Sequence, residues 1–347
     1  MNIKSLLLGS AAALAVVSGA QAADAIVAAE PEAVEYVRVC DAYGTGYFYI
    51  PGTETCLKIE GYIRFQVNGG RNEATGANGS SDWDAFTRGQ VQFTSKSDTE
   101  YGPLTGVIVL QANADNASSQ STVLDSAYID IAGFRAGLFY SWWDDGLSGE
   151  TDSLASNDTL HNSIRYQYES GDFYAGLSVD ELEGNIHTAL GERSNDVGIA
   201  AGIGGKAGAF SYQLIGGYDT DTEEGAIRGM GTVAIGPGTL GLAAAWASGP
   251  NAYFEESEWT VAAEYAIQAT DKFKITPAVQ YFANAKNGSG AATTTDFTDV
   301  DIWKAGVTLD YQIVENFYAK ASVQWQDRTV AVDDDTVSGY FRLQRAF

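Results

Sequence analysis

From Leu57 onward the chain alternates between apolar and polar residues with few breaks. Leu57, Ile59, Gly61, Ile63, Phe65 and Val67 share one parity; Lys58, Glu60, Tyr62, Arg64, Gln66 and Asn68 share the other. Successive side chains of a β-strand point to opposite faces, so this segment presents one apolar face and one polar face. The rhythm returns late in the chain, at Trp259 to Ile267, Phe273 to Tyr281, Trp303 to Tyr311 and Phe317 to Trp325, with aromatics at the ends of the apolar face and smaller aliphatics between them. Sixteen strands are predicted, over 57–68, 83–97, 103–113, 122–132, 135–143, 160–169, 172–181, 195–204, 208–218, 226–236, 238–247, 257–268, 271–283, 299–312, 316–327 and 336–347. Registers are least fixed over 195–247, where Gly and Ala dominate.

The connections alternate in length. Short ones fall near Gly133-Phe134, Ser170-Gly171, Gly205-Lys206, Pro237, Thr270 and Val314-Glu315. Long polar ones cover 69–82, 114–121, 144–159, 182–194, 219–225, 248–256, 284–298 and 328–335. Outer-membrane barrels have this asymmetry, and closure leaves no unpaired strand edge in lipid. A two-sheet sandwich also alternates, but its apolar face is a packed core of large aliphatics. Here the apolar faces are thin, the opposite faces carry Lys, Arg and Glu, and Trp and Tyr stand where headgroups would lie. The pattern predicts an all-β fold, a 16-stranded antiparallel transmembrane β-barrel over 57–347. Its last strand, "VSGYFRLQRAF", ends in Phe347, the kind of terminal aromatic that barrel-assembly machinery reads; Phe347 is the expected assembly signal.

The N-terminus supplies the address. "MNIKSLLLGSAAALAVVSGAQA" has a basic residue, Lys4, an apolar core from Leu6 to Val17 and an Ala20-Gln21-Ala22 exit. It reads as a signal peptide over 1–22, its core being short for a bilayer span. The chain is therefore expected in the cell outer membrane after export through the periplasm. Residues 23–56 form an expected periplasmic segment holding both cysteines, Cys40 and Cys56. Their spacing excludes a C-x-x-C redox pair, and two cysteines without histidine make a poor zinc site. In an oxidising compartment the expected state is a Cys40–Cys56 disulfide around a hairpin that turns at Pro51-Gly52.

Composition removes other classes. With 45 Asp and Glu against 20 Lys and Arg, the net charge is −25, which leaves no basic footprint for nucleic acid. "GIGGKAG" at 202–208 has the glycines of a phosphate loop, but no helix follows it. "DTDTEEG" at 219–225 places Glu224 where a calcium loop needs glycine. His161 and His187 are the only histidines and lack metal-ligand or catalytic spacing. No enzyme chemistry, cofactor or metal is expected.

The stretch "VCDAYGTGYFYIPGTETCLKIEGYIRF" near the start, "YSWWDDG" at 140–146 and the aromatic-terminated last strand resemble the alphaproteobacterial general porins of rhizobial and brucella-type outer membranes. The resemblance runs over essentially the whole mature chain. It implies a sixteen-stranded barrel, a homotrimer, and passive diffusion of small hydrophilic solutes and ions. It also implies that the third long loop folds inward. That loop carries Asp144, Asp145, Glu150, Asp152 and Asp158, the expected acidic side of a constriction, with Trp142 and Trp143 before it. Strand parity offers Lys58, Arg64, Arg88 and Arg165 as the basic wall; Lys96, Lys274, Lys304, Lys320 and Arg342 share the polar face. Opposed charges across a narrow point orient dipolar solutes and disfavour apolar ones. Net acidity predicts a weak cation preference, which local charge at the narrow point can override. Lipopolysaccharide is an expected neighbour of the outer loops. The competing functions are a substrate-specific channel and a barrel serving mainly as adhesin or receptor.

Overall fold

In a computed structural model of the protein, the described residues are 38–71, 83–114, 121–156, 159–183, 196–286, 296–329 and 336–347. The expected signal peptide, Asp158 and His187 lie outside them. Residues from Val39 to Phe347 make one compact unit. It opens with a two-residue strand, β1 (Phe48–Tyr49), followed by β2 (Cys56–Arg71), β3 (Trp83–Thr99), β4 (Gly102–Ala114), β5 (Thr122–Ile131), β6 (Phe134–Tyr140), β7 (Leu160–Ser170), β8 (Phe173–Glu181) and β9 (Val197–Ala207). Then come β10 (Phe210–Asp219), β11 (Glu224–Ile235), β12 (Gly238–Ala247), β13 (Ser257–Thr270), β14 (Phe273–Ala285), β15 (Ile302–Val314), β16 (Phe317–Arg328) and β17 (Thr336–Ala346). Each of the sixteen long strands, β2 to β17, pairs antiparallel with its chain neighbours, and β17 pairs with β2 to close the barrel. At the seam Phe341 faces Val67 and Ala346 faces Tyr62. Phe347 and Gly61 then exchange two backbone hydrogen bonds, of 3.0 and 3.1 Å.

The faces are inverted relative to a soluble protein. Ile63, Ile164, Leu242 and Val323 are more than half exposed, whereas Thr260, Thr276 and Thr308 are fully buried. An apolar exterior around a polar interior is stable only when lipid surrounds it. The short connections are tight turns: at Ala132-Gly133 the glycine has φ of 85°, and a Cβ there would stand 2.7 Å from the Gln167 carbonyl. The strand predicted over 135–143 stops at Tyr140, because Ser141 caps a 3-10 turn, Trp142–Asp144, its hydroxyl accepting the Trp143 N–H at 3.2 Å.

Glycine and alanine in the middle strands have a packing cause. Their large residues, Ile199, Ile203, Leu242 and Trp246, face outward. Inward, a Cβ on Gly176 or Gly202 would press into the Trp142 ring, and one on Gly198 or Gly217 into Tyr253. Ala200, Ala226, Ala245 and Ala247 line the same cluster, with Trp142, Trp143, Tyr253 and Phe254 at its centre. The small inner faces are the space those rings occupy.

Cys40 and Cys56 are joined in a disulfide with Cα atoms 6.0 Å apart. Between them β1 pairs with the start of β2, and the turn closes through Ile50 N–H on Thr55 O at 2.9 Å with Gly52 at φ 79°. The Lys96 ammonium sits 5.7 Å from both the Tyr43 and Tyr47 rings, and the Tyr43 hydroxyl donates to Asp98 at 2.7 Å, so the clasp is tied to β3 as well as β2. Replacing both cysteines with alanine is expected to remove about 3 kcal/mol of chain-entropy stabilisation. The heat-modifiable gel shift should then move to lower temperature, and an unchanged transition would show that the clasp contributes no stability.

Candidate functional site

The segment between β6 and β7, residues 141–159, is the most heavily anchored connection among the described residues. Its base is closed by the Ser141 N–H on the Thr159 carbonyl at 2.8 Å. Trp142 and Trp143 are buried, and the Trp142 indole donates to Gln167 at 3.1 Å. Arg228 on β11, fully buried, is the hub. Its Nη1 donates to the carbonyls of Trp143 (2.9 Å) and Leu154 (3.1 Å), and its Nη2 to Trp142 O (2.8 Å) and Gln213 Oε1 (3.0 Å). One guanidinium thus joins the start of the segment to its return.

The tip is held by other strands. Glu264 on β13 accepts the Ser148 N–H (2.8 Å), the Ser148 hydroxyl (2.7 Å) and the Gly149 N–H (2.7 Å). Thr308 on β15 accepts the Glu150 N–H at 3.0 Å. The Gln280 amide on β14 pairs with Ser153 as a strand neighbour would, accepting its N–H at 2.7 Å and donating to its carbonyl at 2.9 Å. The Lys304 ammonium donates to the Ser153 hydroxyl at 3.1 Å, and Lys320 on β16 meets Glu150 at 2.6 Å. The return arm bonds to the β12–β13 connection: Ser156 donates its N–H to Tyr253 O (3.0 Å) and its hydroxyl to Ala252 O (2.6 Å). Tyr253 is fixed in turn by its hydroxyl on Asp180 at 2.7 Å. The strands that hold the tip, β13 to β16, lie at least six strands from β6 and β7 around the ring in either direction.

The expected acidic residues have separate fates. Asp144 accepts from the Thr159 hydroxyl (2.7 Å) and Asp145 from Gln213 (2.6 Å). Glu150 is pushed up by burial, but the Lys320 and Arg342 cations outweigh that and hold its carboxyl below the usual range. Asp152 turns back on its own segment, accepting the Leu147 N–H at 3.1 Å, and burial raises its carboxyl. Of the expected basic wall, Arg64 and Arg88 stand opposite each other in register on β2 and β3. Their Nε hydrogens go to Gln344 (2.8 Å) and Asn113 (2.7 Å). Lys58, nearer the clasp, pairs with Glu60 at 2.6 Å. Arg165 is 6 % exposed, its guanidinium 3.9 Å over the Trp142 ring, so it sits beneath the segment.

Sequence reasoning missed Arg228, Glu264 and Gln280 as anchors. Arg228 had one usable signal, a lone charge inside "AIRGMG", where every neighbour is small or apolar. The glycine-rich 202–208 stretch lies largely within β9, and Asp219 of the acidic stretch is spent on the N–H groups of Asp221, Thr222 and Ala252.

The family model described as the porin subfamily matches residues 24–341. The chain belongs to the porins. Outer membrane protein IIIA of Rhizobium leguminosarum bv. viciae is 64% identical, over 98% of this chain and 93% of the relative. Porin Omp2a of Brucella suis biovar 1 (strain 1330) is 37% identical over the full length of both. Among solved structures, the trimer form of OmpT, an outer membrane protein of Vibrio cholerae, has a TM-score of 0.61 at 12% identity, covering 85% of this chain and all of that one; it shares the fold. This porin is an outer-membrane general porin, a water-filled β-barrel channel, and its apolar exterior is the lipid-facing surface.

Proposed function

We propose that segment 141–159 crosses the lumen and forms the constriction through which small hydrophilic solutes and ions diffuse. One observation carries the reading: a connection that leaves β6 and returns to β7 is hydrogen-bonded to Glu264, Gln280, Thr308 and Lys320 on the far arc of the ring. Asp144 and Asp145 on the segment, with Arg64, Arg88 and Arg342 on the facing wall, set a transverse field at the narrow point. Such a field favours solutes that replace ordered water with hydrogen bonds of their own. Arg165 acts as a support under Trp142. The protein assembles as a homotrimer, in keeping with the trimer form of its structural neighbour, with Phe347 as its assembly signal and lipopolysaccharide around its outer loops.

Glu150→Cys in single-channel recordings tests the constriction. Both native cysteines are tied in the disulfide, so the new thiol is the one labelled. A bulky thiol reagent is expected to reduce the current stepwise. Full labelling, verified by mass, with an unchanged current would contradict the placement.

A further inference from the structure

Below the Glu150–Lys320 contact, the barrel wall holds a recess of about 450 Å³ lined by Arg64, Lys272, Lys274, Tyr318, Lys320 and Arg342. Two carboxylates share it, Asp271 and Asp310. Asp310 divides itself between Lys274 (3.3 Å) and Lys320 (3.4 Å), and Lys272 donates to the neutral Ile313 carbonyl at 3.3 Å. With Glu150 on Lys320 counted, five cations meet three carboxylates, so the recess stays net positive inside a chain whose net charge is −25. The overall acidity of the protein therefore does not describe this wall.

The two arginines are held in place before any ligand arrives. Arg64 gives its Nε hydrogen to Gln344 at 2.8 Å and lies 4.8 Å over the Tyr62 ring. Arg342 gives its own to Gln66 at 2.6 Å and lies 4.5 Å over Tyr340. The register sets Gln66 opposite Arg342 and Gln344 opposite Arg64, so the arginines are diagonal neighbours on β2 and β17, about 7–8 Å apart at the backbone. A guanidinium fixed by stacking and a neutral partner loses little freedom when its fork meets a carboxylate. Two forks at this spacing suit one small molecule carrying two or more carboxylates, and the volume falls in the range of small-ligand sites. A monocarboxylate engages one fork only.

We propose that this recess is a binding station for compact di- and tricarboxylates, with Arg64 and Arg342 as the paired forks and Lys272 and Lys274 as supporting charges. The inference rests on the channel reading for its physiological use, but the site itself is tested without conduction. The purified full-length protein in detergent is titrated with citrate by calorimetry, with acetate as the single-carboxylate probe. Saturable citrate binding is expected, with acetate binding far weaker. Arg342→Gln and, separately, Lys274→Gln should each weaken citrate roughly tenfold, the loss of one charge-assisted contact. The heat-modifiable gel shift confirms that each variant is folded. Absence of saturable citrate binding, or equal affinity in wild type and both variants, would overturn the proposal. Potassium chloride conductance of the same preparation is a separate readout: its absence would count against the channel reading and leave the calorimetric result unchanged.

Discussion

Replacing Arg228 with methionine is expected to free the base of segment 141–159 while the sixteen strands stay closed. The side chain is fully buried and satisfies three backbone carbonyls and one glutamine oxygen. Methionine fills much of the space and donates nothing. Each buried carbonyl left unpaired costs about 1–3 kcal/mol, a local penalty offset in part by the desolvation relieved when the charge is removed. The strand ladders are unaffected, because Arg228 uses its backbone, not its side chain, to pair with Ile215 and Ala245. The variant should still enter the membrane and show a heat-modifiable shift. Its single-channel trace should gain frequent sub-level transitions, and added protease should cut between 141 and 159. A quiet trace and a resistant segment would show that the rings of Trp142, Trp143 and Tyr253 hold the base unaided.

Glu264→Leu is expected to release the tip instead. One carboxylate accepts three donors from Ser148 and Gly149 and is 5 % exposed. Leucine leaves two backbone N–H groups and a hydroxyl facing an apolar side chain, at about 1–3 kcal/mol for each group that finds no water. The contacts of Gln280, Thr308 and Lys320 then hold a shorter stretch, so the tip is expected to swing toward the outer mouth. Proteoliposomes should admit larger sugars than the wild type admits, with the base of the segment still protease-resistant. An unchanged size limit would place the narrowest point elsewhere. The two variants separate base from tip: the first adds fluctuation, the second widens.

Much of the barrel is legible in the chain because strand parity is a strong constraint. Ile59, Ile63 and Phe65 show the outer face of β2 directly, and Lys58, Arg64 and Gln66 the inner. Even the Gly- and Ala-rich strands lie within a few residues of their predicted spans, since Ile199, Ile203, Leu242 and Trp246 mark the outer face. Parity gives the face of a side chain and nothing about what lies above it. Arg64, Arg165 and Arg228 all point inward, yet the first lines an open recess and the others are packed beneath segment 141–159. Asp144 and Asp152 look alike in sequence, but Asp152 is spent on its own backbone. The anchors are invisible for the same reason: a glutamate or glutamine on a polar face reads as lumen lining until the partner segment is known. The inner glycines look like weak strand signal in the sequence, but they are the imprint of Trp142 and Tyr253.

A water-filled lumen narrowed by a charged segment is tested most directly by single-channel recording. The purified wild-type protein is inserted in a planar bilayer and measured across a series of potassium chloride concentrations. Discrete openings of large conductance are expected, linear in voltage at low voltage and rising with salt without saturation. Folded, membrane-inserted protein that passes no current, or a current that saturates with salt, would contradict the open, passive channel.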